Sequence, residues 1–262
     1  MTGPLTEAAA DAAIDAATRS LALPTVRAEA GPLADAAARD QLTHRGYLAE
    51  ILSVEVDARD TRRRERRRKQ ARFPRLKTLE SFDVTAAASG IEPATLATLA
   101  AGGWIDRGEP VVLLGDSGTG KSHLLIGLGM AACDQGRSVR YITAAALVNE
   151  LVEAADDRAL SRAIARYGRL DLLCVDELGY LHLDPRGAEL LFQVVTEREE
   201  KASIAVATNA PFSEWGHTFT DPRLAAAIVD RLTFNAHILE TGHDSYRLRT
   251  TRTKTKRATT KT

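Results

Sequence analysis

Residues 115–122 read GDSGTGKS, set between the apolar run VVLL (111–114) and the apolar-rich stretch HLLIGLGMAAC (123–133). The eight letters fit G-x-x-x-x-G-K-[ST], in which a strand ends, glycines clear the backbone of Cβ atoms, and a helix begins. Backbone N–H groups then converge on phosphate oxygens, helped by the positive end of the helix dipole. Gly115, Asp116, Ser117, Gly118, Thr119, Gly120, Lys121, Ser122 and His123 are the expected nucleotide contacts. Lys121 is expected at the β- and γ-phosphates, and Ser122 as a ligand of Mg²⁺. A glycine-rich turn with a solvated lysine is the bland alternative, and the strand–loop–helix context argues against it.

Similar apolar runs recur at VRYIT (139–143), LLCVDE (172–177), IAVATN (204–209) and AHILE (236–240). They are continuous rather than alternating, as in strands buried on both faces. With helical stretches between them they predict a parallel five-stranded sheet in a three-layer α/β sandwich spanning residues 73–245. Ligands of such sheets bind at the carboxyl edge of the strands. LLCVDE delivers Asp176 and Glu177 to that edge. Successive strand residues point oppositely, so Asp176 can join the Mg²⁺ shell while Glu177 orients an attacking water. Capping of the next helix is the alternative for this pair. IAVATN brings Thr208 and Asn209 to the same edge. Asn209 can hydrogen-bond the attacking water, although loop initiation before Pro211 explains it equally well.

The 262 residues carry 35 basic and 35 acidic side chains, and the zero net charge hides a segregation. Residues 59–77 hold 11 basic and 2 acidic side chains, and residues 246–262 hold 7 basic and none acidic. Between them residues 78–245 are acidic, and so are residues 1–58. Two concentrated basic segments suggest a polyanion partner held at particular places. Cys133 and Cys174 lie in apolar runs without metal-ligand spacing, which points to reduced core thiols and a cytoplasmic location. No run approaches the roughly 20 apolar residues of a membrane span, and the N-terminus lacks the pattern of a secretory signal.

Residues 1–20 are Ala-rich without aromatic anchors and read as a disordered extension. Residues 21–72 read as a small all-α module, interrupted near Pro24 and Gly31–Pro32. It resumes with LADAAARDQL, then with a long helix capped by Thr43 that carries Tyr47, Leu48, Ile51 and Leu52 on one face and runs to Pro74. The tail 246–262 is basic and read as mostly disordered.

Several stretches together resemble one family: RRKQARFPRLKTLESFD (67–83), GDSGTGKSHLLIGLGMAAC (115–133), ITAAALVNEL (142–151), DLLCVDELGYLHLD (171–184), GAELLFQVV (187–195), TNAPFSEW (208–215), LAAAIVDRL (224–232) and HDSYRLR (243–249). They are similar to the IstB-like ATP-binding helpers of insertion sequences, relatives of the DnaC helicase loaders within the AAA+ ATPases. The resemblance implies an ATPase that oligomerises on double-stranded DNA in its ATP state and activates a cognate transposase. It makes Asp176 and Glu177 the Walker B pair, Asn209 a sensor, Arg231 the finger completing a neighbouring subunit's site, and Arg247 a second sensor. Arg223 is a competing finger.

About twenty residues follow Glu240, so the AAA+ lid is expected to be truncated. The basic run Arg62, Arg63, Arg64, Arg66, Arg67, Arg68 and Lys69 then reads as a sequence-independent DNA contact, with a solvated helix face as its alternative. Phe73 and Phe82 border the adenine or pack the core. A replicative helicase loader is the nearest competing function, and a nucleoside kinase a more distant one.

Overall fold

The computed structural model describes residues 6–83, 91–180, 182–219 and 221–242. It divides after Arg66 into an N-terminal unit and a larger unit beginning at Arg67. That division falls inside the long basic helix rather than at its end near residue 72.

The N-terminal unit consists of α1 (Glu7–Ser20), α2 (Pro24–Arg39) and the first part of α3 (His44–Ala71). Residues 7–20 are therefore helical, against the expectation of a disordered extension. Alanine is the strongest helix former, and local contacts complete the helix. Thr6 caps it by accepting from Ala9 N at 3.3 Å, and Arg19 pairs with Asp15 at 2.7 Å one turn back. Thr18 is buried and its hydroxyl donates to the Ile14 carbonyl oxygen. α2 also runs straight through Pro32, where an interruption was expected.

A single carboxylate organises the start of α2. Its N-cap is Leu23, which has no side-chain acceptor to offer. Glu55, on α3 and only 3% exposed, accepts instead from Thr25 N at 2.8 Å and Val26 N at 3.1 Å. Those are orphan donors of a helix N-terminus, satisfied here from another helix. Burial pushes the Glu55 carboxyl up, but the Val26 and Thr25 amides and nearby Arg62 hold it below the usual carboxylate range. Thr43 caps α3 as expected, accepting from Gly46 N at 3.1 Å. The expected apolar face of α3 divides: Ile51 is buried, whereas Leu48 and Leu52 are exposed.

The larger unit follows in the order α4 (Pro93–Ala100), α5 (Gly103–Asp106), β1 (Val111–Leu114), α6 (Lys121–Asp134), β2 (Val139–Thr143), α7 (Ala144–Asp156), α8 (Leu160–Gly168), β3 (Leu172–Asp176), α9 (Pro185–Arg198), β4 (Ser203–Thr208), α10 (Trp215–Thr218), α11 (Pro222–Thr233) and β5 (His237–Glu240). All five strands are parallel, in the order β2-β3-β4-β1-β5. The period-two alternation of strand side chains sorts them between two cores. Val111, Leu113, Tyr141, Leu172, Cys174, Ala205 and Ala207 face α4, α5 and α6. Val112, Ile142, Leu173, Val175, Ile204 and Val206 face α7, α8, α9, α10 and α11. The result is the expected three-layer sandwich.

α6 is buried nearly all round: it packs on the sheet, and a strap of chain preceding α4 fills notches along it. Leu79 lies over Gly127 and Phe73 over Gly129. A Cβ at Gly127 would come within 2.8 Å of Leu79 Cδ2, and one at Gly129 within 2.8 Å of Phe73 Cε1. The two glycines are thus notches cut for the strap. Gly129→Ala gains up to about 1 kcal/mol of helix propensity but overpacks a filled notch, at about 1–3 kcal/mol. The variant is expected to unfold at lower urea than wild type, whereas an open helix face would give a higher midpoint.

Candidate functional site

β1 ends at Leu114, and the chain turns through the phosphate loop into α6. Gly115 has φ 147° and Gly120, the N-cap of α6, has φ 105°. A side chain at either position is excluded on torsion and on space. A Cβ at Gly115 would stand 2.4 Å from Thr241 Oγ1, and one at Gly120 would stand 2.6 Å from Phe82 Cε2. The loop is anchored to the chain leaving β5. Asp116 N donates to the Gly242 carbonyl oxygen at 3.2 Å, and the Thr119 and Thr241 hydroxyls lie 2.6 Å apart. Lys121 is 8% exposed, and its ammonium donates to the carbonyl oxygens of Gly115 at 2.6 Å and Asp116 at 2.7 Å.

A cleft opens over this loop, lined by Gly118, Thr119, Gly120, Lys121, Ser122 and His123 on one side. Arg75, Lys77, Ser81, Phe82 and Asp83 of the strap line the other. His123 belongs to the cleft wall, but its Nε2 lies 2.9 Å from the Thr78 carbonyl oxygen, a contact that needs the Nε2–H tautomer. Burial lowers the pKa of this imidazole, and Lys77 and Arg75 add to the effect while the Thr78 carbonyl opposes it. Phe82 stands edge-on to His123 with ring centres 5.4 Å apart, so it borders the cleft. Phe73 does not; it packs against Gly129 and Tyr141 in the core.

The strand register brings the second half of the site to the same edge. Asp176 ends β3 opposite Thr143 of β2, and β4 runs alongside to Thr208. Asp176 is 3% exposed. Its Oδ2 accepts from the Tyr141 hydroxyl at 2.6 Å, and its Oδ1 accepts from Glu177 N at 2.9 Å. Burial, then the bond to Asp176, pushes the Tyr141 phenol far above its usual range, which keeps it a donor. Glu177 leaves the strand at φ 62°, a left-handed torsion uncommon for a non-glycine residue. That torsion turns its exposed carboxylate out of the line of the sheet. Asn209 follows β4, and its Oδ1 is buried with no hydrogen-bond partner among the described residues. Gly179 leaves room for it, since a Cβ there would lie 2.4 Å from Asn209 Oδ1.

Arg231 is not brought to this edge. It sits near the end of α11 beside Glu109, Pro110, Glu199 and Ile204, where β1 and β4 begin. Strands of four to six residues put roughly 13–20 Å between the two edges. Arg231 Nε lies 2.9 Å from Glu199 Oε2, within ion-pair distance although the N–H does not point at that oxygen. Its guanidinium also stands 4.7 Å above the Phe192 ring centre. Arg223 is exposed in the first turn of α11. Arg247 and the basic tail lie outside the described residues.

The basic run is less free than its composition implies. Arg62 is bound to Glu55 at 3.0 Å, and Arg68 grips Asp134 with Nε at 2.9 Å and Nη2 at 2.7 Å. Arg63 makes an exposed contact with Asp60 at 3.5 Å, of a kind worth at most about 1 kcal/mol. Arg64, Arg66 and Lys69 are exposed and make no ion pair among the described residues. The residues that sequence reasoning missed are Tyr141, the Thr119–Thr241 pair and the strap cations Arg75 and Lys77. Each depends on a contact between distant segments, for which the sequence carries no local signal.

A parallel sheet with a phosphate loop after β1 and acidic residues after β3 defines a P-loop ATP-binding domain of AAA+ type. Its fold is shared by AMPPCP-bound DnaA from Aquifex aeolicus (TM-score 0.53, 22% identity, 71% of this chain and 56% of that one). The DnaI structure shares it as well (TM-score 0.52, 17% identity, 66% and 93%). The chain matches the IstB-like ATP binding protein family over residues 16–254 and belongs to it. It is 39% identical to an ATP-binding protein of insertion sequence IS21 from Pseudomonas aeruginosa, over 83% of this chain and 82% of that one. With the corresponding protein of IS5376 from Geobacillus stearothermophilus the identity is 35%, over 87% and 91%.

Lys121→Ala removes the cation expected at the β- and γ-phosphates of the nucleotide. Losing a charged hydrogen bond of about 1.5–3 kcal/mol weakens ATP binding about 10- to 100-fold. Titration with a fluorescent ATP analogue reads this directly, and an unchanged affinity would remove Lys121 from the site.

Proposed function

We propose that this chain is a transposition helper: an ATPase that assembles on double-stranded DNA in its ATP state and activates the transposase of its own insertion sequence. The observation that carries the reading is the separation of Arg231 from the phosphate loop by the length of the strands, from their amino ends to their carboxyl ends. An arginine so placed can meet a γ-phosphate only in a neighbouring copy, so each site is completed in trans when copies line up. DNA is the track that lines them up. The insertion-sequence origin of the relatives supports the transposase as the recipient. It favours this role over the loading of a replicative helicase. The absence of a membrane-crossing helix among the described residues and the reduced core cysteines fit work in the cytoplasm.

The residues divide the chemistry of ATP hydrolysis between them. The amides of the phosphate loop and Lys121 neutralise the β- and γ-phosphates as charge develops on the leaving oxygens. Ser122 and Asp176 are suited to hold Mg²⁺, because this ion takes one or two protein oxygens and keeps waters and phosphate oxygens for the rest. No cluster of three or more His, Cys, Asp or Glu competes with that arrangement among the described residues. When bound, the ion supplies charge stabilisation across the phosphate oxygens. Glu177 orients the attacking water as a base, and Asn209 offers it the unsatisfied Oδ1. Arg231 of one copy stabilises the transferring phosphoryl group in the next.

Glu177→Gln keeps the shape of the side chain but removes the anion. It is expected to bind ATP as wild type does while hydrolysis falls by a factor on the order of 10²–10⁴. Phosphate release beside a nucleotide titration separates the two, and wild-type turnover would reduce Glu177 to a turn residue.

The DNA contact is assigned to Arg64, Arg66 and Lys69, the exposed members of the basic run that make no ion pair among the described residues; Arg67 also makes none but is half-buried. Arg62 and Arg68 are left in place because their carboxylate partners hold structure. Replacing the three by Gln is expected to weaken binding to every duplex alike. It is also expected to reduce the slope of log K against log salt by up to about 0.9 per lost phosphate contact. An unchanged slope would make the run a solvated helix face.

A further inference from the structure

Asp176 is a buried carboxylate whose surroundings are incomplete in one respect. Two donors reach it, the Tyr141 hydroxyl at 2.6 Å and the Glu177 amide at 2.9 Å, one on each oxygen. None of the ion pairs among the described residues involves it. A carboxylate taken out of water needs a counter-charge as well as donors. Two donors to two different oxygens also fix the plane of the group and leave a lone pair on each oxygen.

Tyr141 is built to deliver its donor there. It lies on β2 opposite Cys174, two residues before the pair Thr143 and Asp176. By alternation Tyr141 and Asp176 share the face of the sheet covered by α6, the helix that carries Ser122. The ring lies diagonal to Asp176 across the strand pair, within the reach of an aromatic side chain. Phe73 of the strap packs against it with ring centres 6.1 Å apart. A charge-assisted bond of this length is among the stronger hydrogen bonds in proteins.

Resting on the ATP reading above, we propose that Tyr141 is a positioning residue for the metal: its hydroxyl locks the Asp176 carboxylate in the orientation that accepts Mg²⁺ beside Ser122. It touches neither nucleotide nor ion and acts through Asp176 alone. Partners that orient metal-binding groups in this way typically contribute about 10- to 100-fold to metal affinity.

The test compares wild type, Tyr141→Phe, Asp176→Asn and the double variant as full-length chains. Tyr141→Phe keeps the ring and its contact with Phe73 while deleting the donor. A fluorescent ATP analogue is titrated in EDTA, and then at fixed analogue against Mg²⁺. Tyr141→Phe is expected to match wild type in EDTA but to need about tenfold more Mg²⁺ for half its effect on binding. The double variant is expected to be no worse than Asp176→Asn alone, because the hydroxyl acts through that carboxylate. A Mg²⁺ midpoint equal to wild type, weaker binding in EDTA, or a further loss in the double variant would each overturn the assignment and leave Tyr141 a packing residue. Wild type without any Mg²⁺-dependent nucleotide binding would overturn the ATP reading, and the inference with it.

Discussion

A sheet buried on both faces leaves chemistry nowhere to go but its edges. In this chain β1, β3 and β4 are covered on one side by α6 and on the other by α7, α9 and α11, so their side chains are spent on packing. Because all five strands run parallel, one edge gathers every carboxyl end and the other every amino end. The phosphate loop, the Asp176–Glu177 pair and Asn209 meet at the first although they come from three segments far apart in sequence. Arg231 is left at the second for the same reason.

Much of this was legible in the sequence because it rests on local rules. Continuous apolar runs read as two-faced strands. Glycines at 115, 118 and 120 mark a loop of unusual torsions, and Asp176 and Glu177 end a strand. What was not legible depends on partners far away in the chain. Residues 7–20 lack aromatic anchors, yet alanine propensity and a Thr6 cap make them helical. Pro32 did not end a helix whose start is held by Glu55, 30 residues beyond Thr25. Seven basic residues within 62–69 carry no local sign of difference, and only the fold distinguishes Arg62 and Arg68, held by carboxylates, from Arg64, Arg66 and Lys69. Tyr141 reads as an ordinary strand aromatic until the register sets it beside Asp176.

The buried carboxylates of the two units illustrate opposite uses of the same group. Glu55 is surrounded by two amides and by arginines, so its charge is answered within the fold and it serves as a cap. Asp176 receives two neutral donors and, among the described residues, no cation. The first arrangement is closed; the second leaves room for one more positive charge, which in a nucleotide site is the natural place for an ion that arrives with the phosphates.

The strap across α6 has a consequence for where this chain can be divided. By compactness the larger unit begins at Arg67, and by strand content alone it would begin near β1. Phe73 and Leu79 lie between those points and fill the notches at Gly129 and Gly127, and Phe82 closes over Gly120. An excised ATP-binding portion that starts after them would present water with the bare flank of its most buried helix and half of its nucleotide cleft. The smallest autonomous piece therefore has to carry the strap from its first aromatic residue, so any dissection of the protein has to cut at or before the end of the basic helix at Ala71 rather than beside β1.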